Sequence, residues 1–165
     1  MVISIANPSV PSEVGFIDTP GSAQGVAVAG NHAYVAGYDA GLQVVDISDP
    51  LNPVHIGGYD TPSHSRRVEV QGNYAYVTDH ESGLQIIDVS DPANPTLAAV
   101  YDTPGHAHCV AVQGDYAYVA DWTWGFQVIE IFQRRYDLDM NTAQSTLVEE
   151  SVDPVLRVRL TTTQN

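Results

Sequence analysis

The chain has 165 residues, 44% of them hydrophobic, which is enough to build the core of one domain of ordinary size. Twenty acidic residues stand against six arginines and no lysine, and the formal net charge is −14. A field of that sign repels phosphate backbones and anionic lipids, so nucleic acid and membrane surfaces are disfavoured as partners, whereas cations and basic surfaces are favoured.

The first 17 residues, "MVISIANPSVPSEVGFI", predict two short strands separated by a proline-containing turn. They lack the basic flank and the long apolar run of a secretion signal. No later segment approaches the roughly 18 apolar residues of a membrane span. The single cysteine, Cys109, cannot form an internal disulfide, so it gives no information on the compartment.

From residue 18 onward the sequence repeats with a period of 42 residues. Aligned without gaps, 18–59 and 60–101 agree at 20 of 42 positions. A fixed period of this kind is the signature of a repeat architecture. The recurring triplets are Asp-Thr-Pro at 18–20, 60–62 and 102–104, and Ala-Tyr-Val at 33–35, 75–77 and 117–119.

Each unit predicts four short strands, because β-branched and aromatic runs alternate with turns rich in Gly, Pro, Asn and Asp. In the first unit the predicted strands are 25–29, 33–37, 42–47 and 54–59. No segment has a helical period, so the chain is predicted to be all-β. Four antiparallel strands every 42 residues is the spacing of β-propeller blades, whose repeats run about 40 to 45 residues.

The strand phrases "GLQVVDISDP", "GLQIIDVSDP" and "GFQVIEIFQR" resemble the LVIVD-repeat family, which is named for a Leu-Val-Ile-Val-Asp-like strand. The resemblance covers about residues 1–131 and implies a propeller fold. Members are mainly bacterial and archaeal and many are associated with the cell surface, so the resemblance implies an extracellular or surface location. The family has little assigned biochemistry, so the resemblance implies no particular activity.

The repeat also sets the expected domain boundaries. Val2 to Ile5 aligns with Val44 to Ile47, so 1–17 is predicted to be the last two strands of a partial blade. Complete blades are expected at 18–59 and 60–101. A third blade is expected at 102–143 with a divergent last strand, followed by a tail at 144–165, a candidate start of a further β segment.

These units make about three and a half blades, whereas closed propellers usually need four or more, so an incomplete propeller is predicted. Three explanations stay open. The tail strand "VLRVRLTTT" pairs with the amino-terminal strands, two chains complete each other as a homodimer, or the chain is a fragment with further blades in a longer parent. We favour the fragment, because both ends break inside elements.

In a blade of four antiparallel strands, the second-to-third turns and the connections between blades lie at the same end. Positions identical in all copies serve the packing that every blade shares, whereas positions that vary on this face are free for binding. The variable positions form a polar and aromatic mix typical of a binding surface. The candidate ligand-binding residues are His64, Arg66, Arg67, His80, His106, His108, Asp121, Trp122 and Trp124.

Two metal sites are candidates. His106 and His108 are two positions apart on an extended segment, which directs both imidazoles to one side, as zinc requires, and Cys109 to the other. Further ligands would come from Asp121, His64 or His80, and a solvated loop is the plainer alternative. A calcium loop is suggested from Asp137, but Thr142 replaces its glycine and Val148 its last carboxylate, so an acidic linker is the favoured interpretation.

The leading hypothesis is a non-enzymatic propeller module that binds a protein, a glycan or a small ligand on the variable face. One alternative is a metal-dependent hydrolase or lyase with His106 and His108 as ligands. A second is a structural spacer within a larger cell-surface protein. No nucleophile elbow, phosphate loop or metalloprotease motif is present, so no catalytic residue is predicted and no cofactor is expected beyond zinc or calcium.

Overall fold

The computed structural model describes residues 1–131 and the backbone of a strand at 158–160. They form strands and turns with one short 3-10 turn, and no helix among them is long and apolar enough to cross a membrane. The elements are β1 (Val2–Ser4), β2 (Ser12–Gly15), β3 (Gly25–Ala29), β4 (His32–Ala36), β5 (Leu42–Asp46), β6 (Val54–Tyr59), β7 (Arg67–Gln71), β8 (Tyr74–Thr78), β9 (Leu84–Asp88), β10 (Thr96–Tyr101), β11 (Cys109–Gln113), β12 (Tyr116–Ala120), the 3-10 turn Trp122–Trp124, β13 (Phe126–Ile131) and β14 (Val158–Leu160).

The strands form three four-stranded antiparallel sheets and one two-stranded sheet, each in sequential order. We call them blade 1 (β3 to β6), blade 2 (β7 to β10), blade 3 (β11 to β14) and the half-blade (β1 and β2). The prediction of all-β blades with four antiparallel strands is therefore confirmed. In blade 1 each strand lies within one residue of its predicted bounds.

Repeated turn residues explain why the strands end where they do. The first hairpin of each blade turns at Gly30, Gly72 or Gly114, whose φ values of 57°, 60° and 59° lie in the left-handed region that glycine adopts without strain. The third turn is held by an aspartate. In blade 1, Asp49 accepts hydrogen bonds from the backbone N–H of Leu51 at 3.0 Å and from the side-chain amide of Asn52 at 2.7 Å.

The core lies between blades. We call the face of a blade that meets the next blade its trailing face, and the opposite one its leading face. Val44 on the trailing face of blade 1 and Val77 on the leading face of blade 2 are both 0% exposed and belong to one apolar cluster. Ile86 of blade 2 and Val119 of blade 3 form the second cluster in the same way. Residues 42 positions apart therefore bury the same surface twice.

The fourth strand of blade 3 differs from expectation. β14 pairs antiparallel with β13, with Ile131 opposite Val158, so it completes blade 3 and does not pair with the amino-terminal strands. The repeat pattern assigns this segment to the tail at 144–165, because its residues do not match the fourth strand of the other copies. The calcium-loop candidate that begins at Asp137 lies outside the described residues.

Two blade faces are left uncovered by the described residues. Phe126 on the trailing face of blade 3 is 67% exposed, whereas its equivalents Leu42 and Leu84 are 0% exposed. Val26 on the leading face of blade 1 is 65% exposed, whereas its equivalent Val68 is 5% exposed. The exposure follows from position in the array, since the residue types are similar.

Candidate functional site

The second-to-third turns and the blade connections meet at one end of the blades, as the topology predicted. Backbone bridges join Tyr38 to Ser65 and His80 to Ala107, each linking the turn of one blade to the connection that enters the next. The Ser65 N–H donates to the Tyr38 carbonyl at 3.1 Å, and the Ala107 N–H to the His80 carbonyl at 2.9 Å. We call this end the loop face.

An unusual backbone conformation recurs at the start of each second-to-third turn. Tyr38, His80 and Trp122, which occupy the same repeat position, have φ values of 59°, 47° and 41°. Residues with side chains rarely adopt this left-handed region, which costs on the order of 1–3 kcal/mol and recurs at functional sites. Hydrogen bonds across the turn hold this conformation in place, since the backbone N–H groups of Asp79 and Asp121 donate to the carbonyls of Gly83 and Gly125, each at 2.8 Å.

The repeated glutamine after each turn has a structural role. The Gln85 side-chain amide donates to the Ser82 carbonyl at 2.7 Å, and the Gln127 amide to the Trp124 carbonyl at 3.2 Å. An invariant polar residue thus fixes the turn. The variable residue at the start of each turn, which is Tyr38, His80 or Trp122, is therefore free to present its ring.

A continuous row of rings crosses the loop face. Tyr38 and His64 stack with centroids 4.4 Å apart, His80 and His106 stack at 4.3 Å, and an edge contact of 5.9 Å between His64 and His80 joins the two pairs. Trp122 extends the row, lying 5.7 Å from His106. We call this set the ring row; its members are Tyr38, His64, His80, His106, Trp122 and His108, the last 6.3 Å from Trp122.

The two arginines of the loop face, Arg66 and Arg67, make different contacts. The Arg66 guanidinium lies over the Tyr38 ring at 4.9 Å, a cation–π contact that attaches it to the ring row. Arg67 donates to the Gln24 carbonyl at 2.6 Å, so it ties the start of blade 2 to the start of blade 1. At the same end of the row, His64 Nε2 lies 3.2 Å from a carboxylate oxygen of Asp39.

Asp121, a candidate ligand-binding residue, is buried in the structure. It is 0% exposed, and its carboxylate accepts hydrogen bonds from the Thr103 hydroxyl at 2.8 Å and from the Gly105 N–H at 2.9 Å. Asp79 of blade 2 does the same with the Thr61 hydroxyl at 2.6 Å. Burial raises the pKa of the Asp79 carboxyl, although its hydrogen bonds oppose the shift. These two carboxylates hold the connecting loops and are not exposed to solvent.

The remaining predicted residues are exposed. Trp122 and Trp124 are 63% and 62% exposed. Of these two indoles, only Trp122 contacts another ring among the described residues. His108 and Cys109 are exposed neighbours, with His108 Nδ1 3.8 Å from the Cys109 sulfur. Cys109 is the first residue of β11 and its side chain is exposed.

His80 carries the clearest electrostatic signal in the ring row. Burial lowers its pKa below the ordinary value of 6.5, and the nearby His106 and Arg66 lower it further. The unfolded chain therefore takes up a proton at His80 before the folded chain does as pH falls. Stability is consequently present above pH 6.5 and is lost as pH falls from there toward the folded pKa.

Three polar nitrogens of the loop face are buried and lack a hydrogen-bond partner among the described residues. They are Nε of Arg66 and the Nδ1 atoms of His80 and His106. Unpaired buried groups are costly and normally take up a water, an ion or a ligand. The Arg66 atom can only donate, so this part of the face favours a ligand or water with acceptor oxygens.

One group of metal-ligating side chains converges in the part of the chain that the structure describes. His80, Glu81 and His106 place their ligand atoms within 4.8 Å of one another. The group contains His106 but not His108, so the pair singled out from sequence is not the pair that the fold brings together. The ring planes of the two imidazoles are 18° apart and stacked, so their in-plane nitrogen lone pairs lie in nearly parallel planes, and at least one ring must rotate before both can ligate one ion.

Sequence reasoning missed Tyr38 and Glu81 as members of the site. Tyr38 could have been found, because every copy has an aromatic or imidazole ring at this position while its neighbours vary. The left-handed backbone and the stacking across blades had no signal in the letters. Both depend on the distance between blades.

Comparison with known proteins agrees with the fold. The LVIVD repeat family model matches residues 20–61, 62–103 and 104–133, three consecutive copies that together cover more than half of the chain. The three matches begin at 20, 62 and 104, each two residues after the start of a 42-residue unit read from the sequence. No curated protein matches the sequence. The chain belongs to the LVIVD repeat family.

Proposed function

We propose that the chain is a non-enzymatic binding module whose ligand surface is the ring row of the loop face. The observation that carries the proposal is the continuous row of ring contacts from Tyr38 to His106, which ends on the exposed indole of Trp122. A large exposed aromatic ring held in a strained backbone is costly for solubility and stability, and binding gives a reason to keep it.

A glycan is the ligand class that fits best. Sugar rings present flat apolar faces that stack on indoles, and hydroxyl rims that offer acceptor oxygens. The loop face supplies both complements, with the exposed indole of Trp122 for stacking and the exposed imidazole of His108, 6.3 Å from it, for hydrogen bonds. The nearby carboxylates of Asp79 and Asp121 are already bonded to their own loops.

A glycan array probed with the labelled full-length chain tests this function, followed by titration of the best binder. Trp122→Ala should remove at least about 2 kcal/mol of binding free energy, or about 30-fold in Kd, as expected of a central aromatic anchor. Phe126→Ala is the matched control, because Phe126 is 67% exposed but lies on the trailing face of blade 3. Equal losses in both variants, or binding to a protein partner alone, contradict a glycan site on the ring row.

Metal binding is the second candidate function, and it is favoured by the convergence of His80, Glu81 and His106. A three-ligand set with imidazole and carboxylate suits zinc and leaves a position open, as in hydrolases. Calorimetric titration of the full chain with zinc tests it. His106→Ala should abolish binding and His108→Ala should leave it unchanged. The reverse result would restore the pair predicted from sequence.

A further inference from the structure

The fixed side-chain cations of residues 1–131 all lie on the loop face. They are Arg66 and Arg67 alone, against fifteen acidic residues in the same range. Arginines in so acidic a chain have many carboxylates available as partners. Within the part of the chain that the structure describes, however, the one ion pair joins His64 to Asp39, so both guanidinium groups lack a carboxylate partner there.

The two arginines are not equally available to a ligand. Arg67 already donates from Nη1 to the Gln24 carbonyl at 2.6 Å. No hydrogen bond joins the half-buried Arg66 side chain to another described residue, and its Nε is buried without a partner. Because Nε is buried, the two Nη atoms of Arg66 are the ones that can meet a ligand. Their spacing matches the two oxygens of a carboxylate or sulfate.

Contacts with two blades hold Arg66 in place. Its backbone N–H donates to the Thr78 carbonyl of blade 2 at 2.8 Å. Its guanidinium lies over the Tyr38 ring of blade 1, 4.9 Å from the centroid. The backbone bridge between Tyr38 and Ser65 joins the two contacts. A guanidinium that is already positioned loses less conformational freedom when a ligand binds.

The surroundings of Arg66 are locally positive. His80 is near enough that the charge of Arg66 helps to lower its pKa. The acidic groups on this side already have partners, since Asp39 pairs with His64 at 3.2 Å and Asp79 accepts from the Thr61 hydroxyl at 2.6 Å. Charges more than about 8 Å away are largely screened at physiological ionic strength, so the net charge of the chain does not prevent one small anion from binding here.

We propose that Arg66 is the anion-binding end of the ring row and that the glycan bound there is acidic, with a carboxylate or sulfate on the Arg66 guanidinium and a sugar ring on the Trp122 indole. This inference rests on the binding function proposed above and names its ligand class. The two ends of the ring row differ in chemistry, one cationic and one an indole that is 63% exposed, so the ligand binds in one direction. Two parallel hydrogen bonds from arginine distinguish an acidic sugar from its neutral analogue.

Nuclear magnetic resonance of the full-length chain tests the anion site without an oligosaccharide. Sodium glucuronate, sodium sulfate and glucose are titrated separately at constant ionic strength, and the side-chain Nε–H signals of both arginines are followed. The Arg66 signal should shift saturably with glucuronate or sulfate, which identifies the anion, and should stay in place with glucose. Arg67 is the internal control, because it is already bonded to the Gln24 carbonyl. Equal shifts of both arginines, or no shift of Arg66, overturn the proposal.

An array of matched neutral, carboxylated and sulfated oligosaccharides tests the link to the ring row. Arg66→Gln should weaken binding of the acidic members at least about 10-fold, the effect of losing a charge-assisted hydrogen-bonded pair. Arg67→Gln makes the same change in net charge, but Arg67 lies outside the ring row, so affinity should stay within about twofold. Arg66→Lys keeps the charge but loses the two parallel hydrogen bonds, so it should restore only part of the affinity.

The two proposals fail in different ways. If neutral and acidic oligosaccharides bind equally, and Trp122→Ala removes this binding while Arg66→Gln does not, the acidic ligand class is wrong and the binding function of the ring row stands. If no oligosaccharide binds, both proposals fall. Thermal midpoints of all variants are measured alongside, so that affinity is compared only between folded chains.

Discussion

Truncation of one repeat position in different blades tests whether the blades bury each other as described. Leu84 and Phe126 are equivalent, but Leu84 is 0% exposed between blades 2 and 3, whereas Phe126 is 67% exposed. Leu84→Ala removes about three buried carbon groups, worth about 2.4 kcal/mol in transfer free energy. The cavity left behind raises the expected loss to about 3–5 kcal/mol. Phe126→Ala loses mainly its stacking on Tyr118 at 6.0 Å, about 0.5–1.5 kcal/mol.

Urea unfolding followed by circular dichroism measures both losses, provided that the slope of the free energy against denaturant is the same in each variant. Leu42→Ala should repeat the large loss, because Leu42 is 0% exposed between blades 1 and 2. If Phe126→Ala destabilises the chain as much as Leu84→Ala does, the trailing face of blade 3 is covered in solution. The description of that face as open would then be wrong.

Three further predictions follow from the loop face. Trp122→Gly relieves the strain of the φ of 41°. The unfolding free energy should therefore stay unchanged or rise by up to about 1 kcal/mol, while glycan affinity falls. A lower unfolding free energy would contradict the presence of strain at this position. The unfolding free energy should decrease as pH falls from 7.5 to 5.5, and the decrease should be smaller in His80→Gln. If the pH dependence of the unfolding free energy is the same in this variant, another group causes it. Thr103→Val removes the 2.8 Å hydrogen bond to the buried Asp121 carboxylate and should lower the unfolding free energy by about 1–3 kcal/mol. Thr19→Val is the control and should cost less than about 0.5 kcal/mol, because the first copy has Gly37 in place of the aspartate. Similar losses in both variants would refute this role of Thr103.

Much of the architecture could be predicted from the sequence, because each blade solves the same local problem. Strand period, turn residues and a 42-residue phase are local signals, and they placed the strands of blade 1 within one residue. The shared end of the turns and connections followed from antiparallel topology alone. That is why His64, His80 and His106 could be assigned to one face before their rings were seen in contact.

The site itself depended on distances between blades, which no local signal encodes. Asp121 looked like a ligand-binding residue, but the neighbouring connection buries it against Thr103. His106 and His108 looked like a metal pair, but the fold stacks His106 on His80 from the preceding blade instead. In each case the partner lies in another element, so spacing along the chain could not reveal it.

The sequence by itself determined the repeat, the blades and the family, since these rest on periodicity and turn chemistry within about 42 residues. Only the tertiary structure decided which side chains meet and which surfaces stay open. Val26 and Val68 are the same residue in the same repeat position, yet one is 65% exposed and the other 5%. The difference is the presence of a preceding hairpin, because a blade buries its face only against a neighbour.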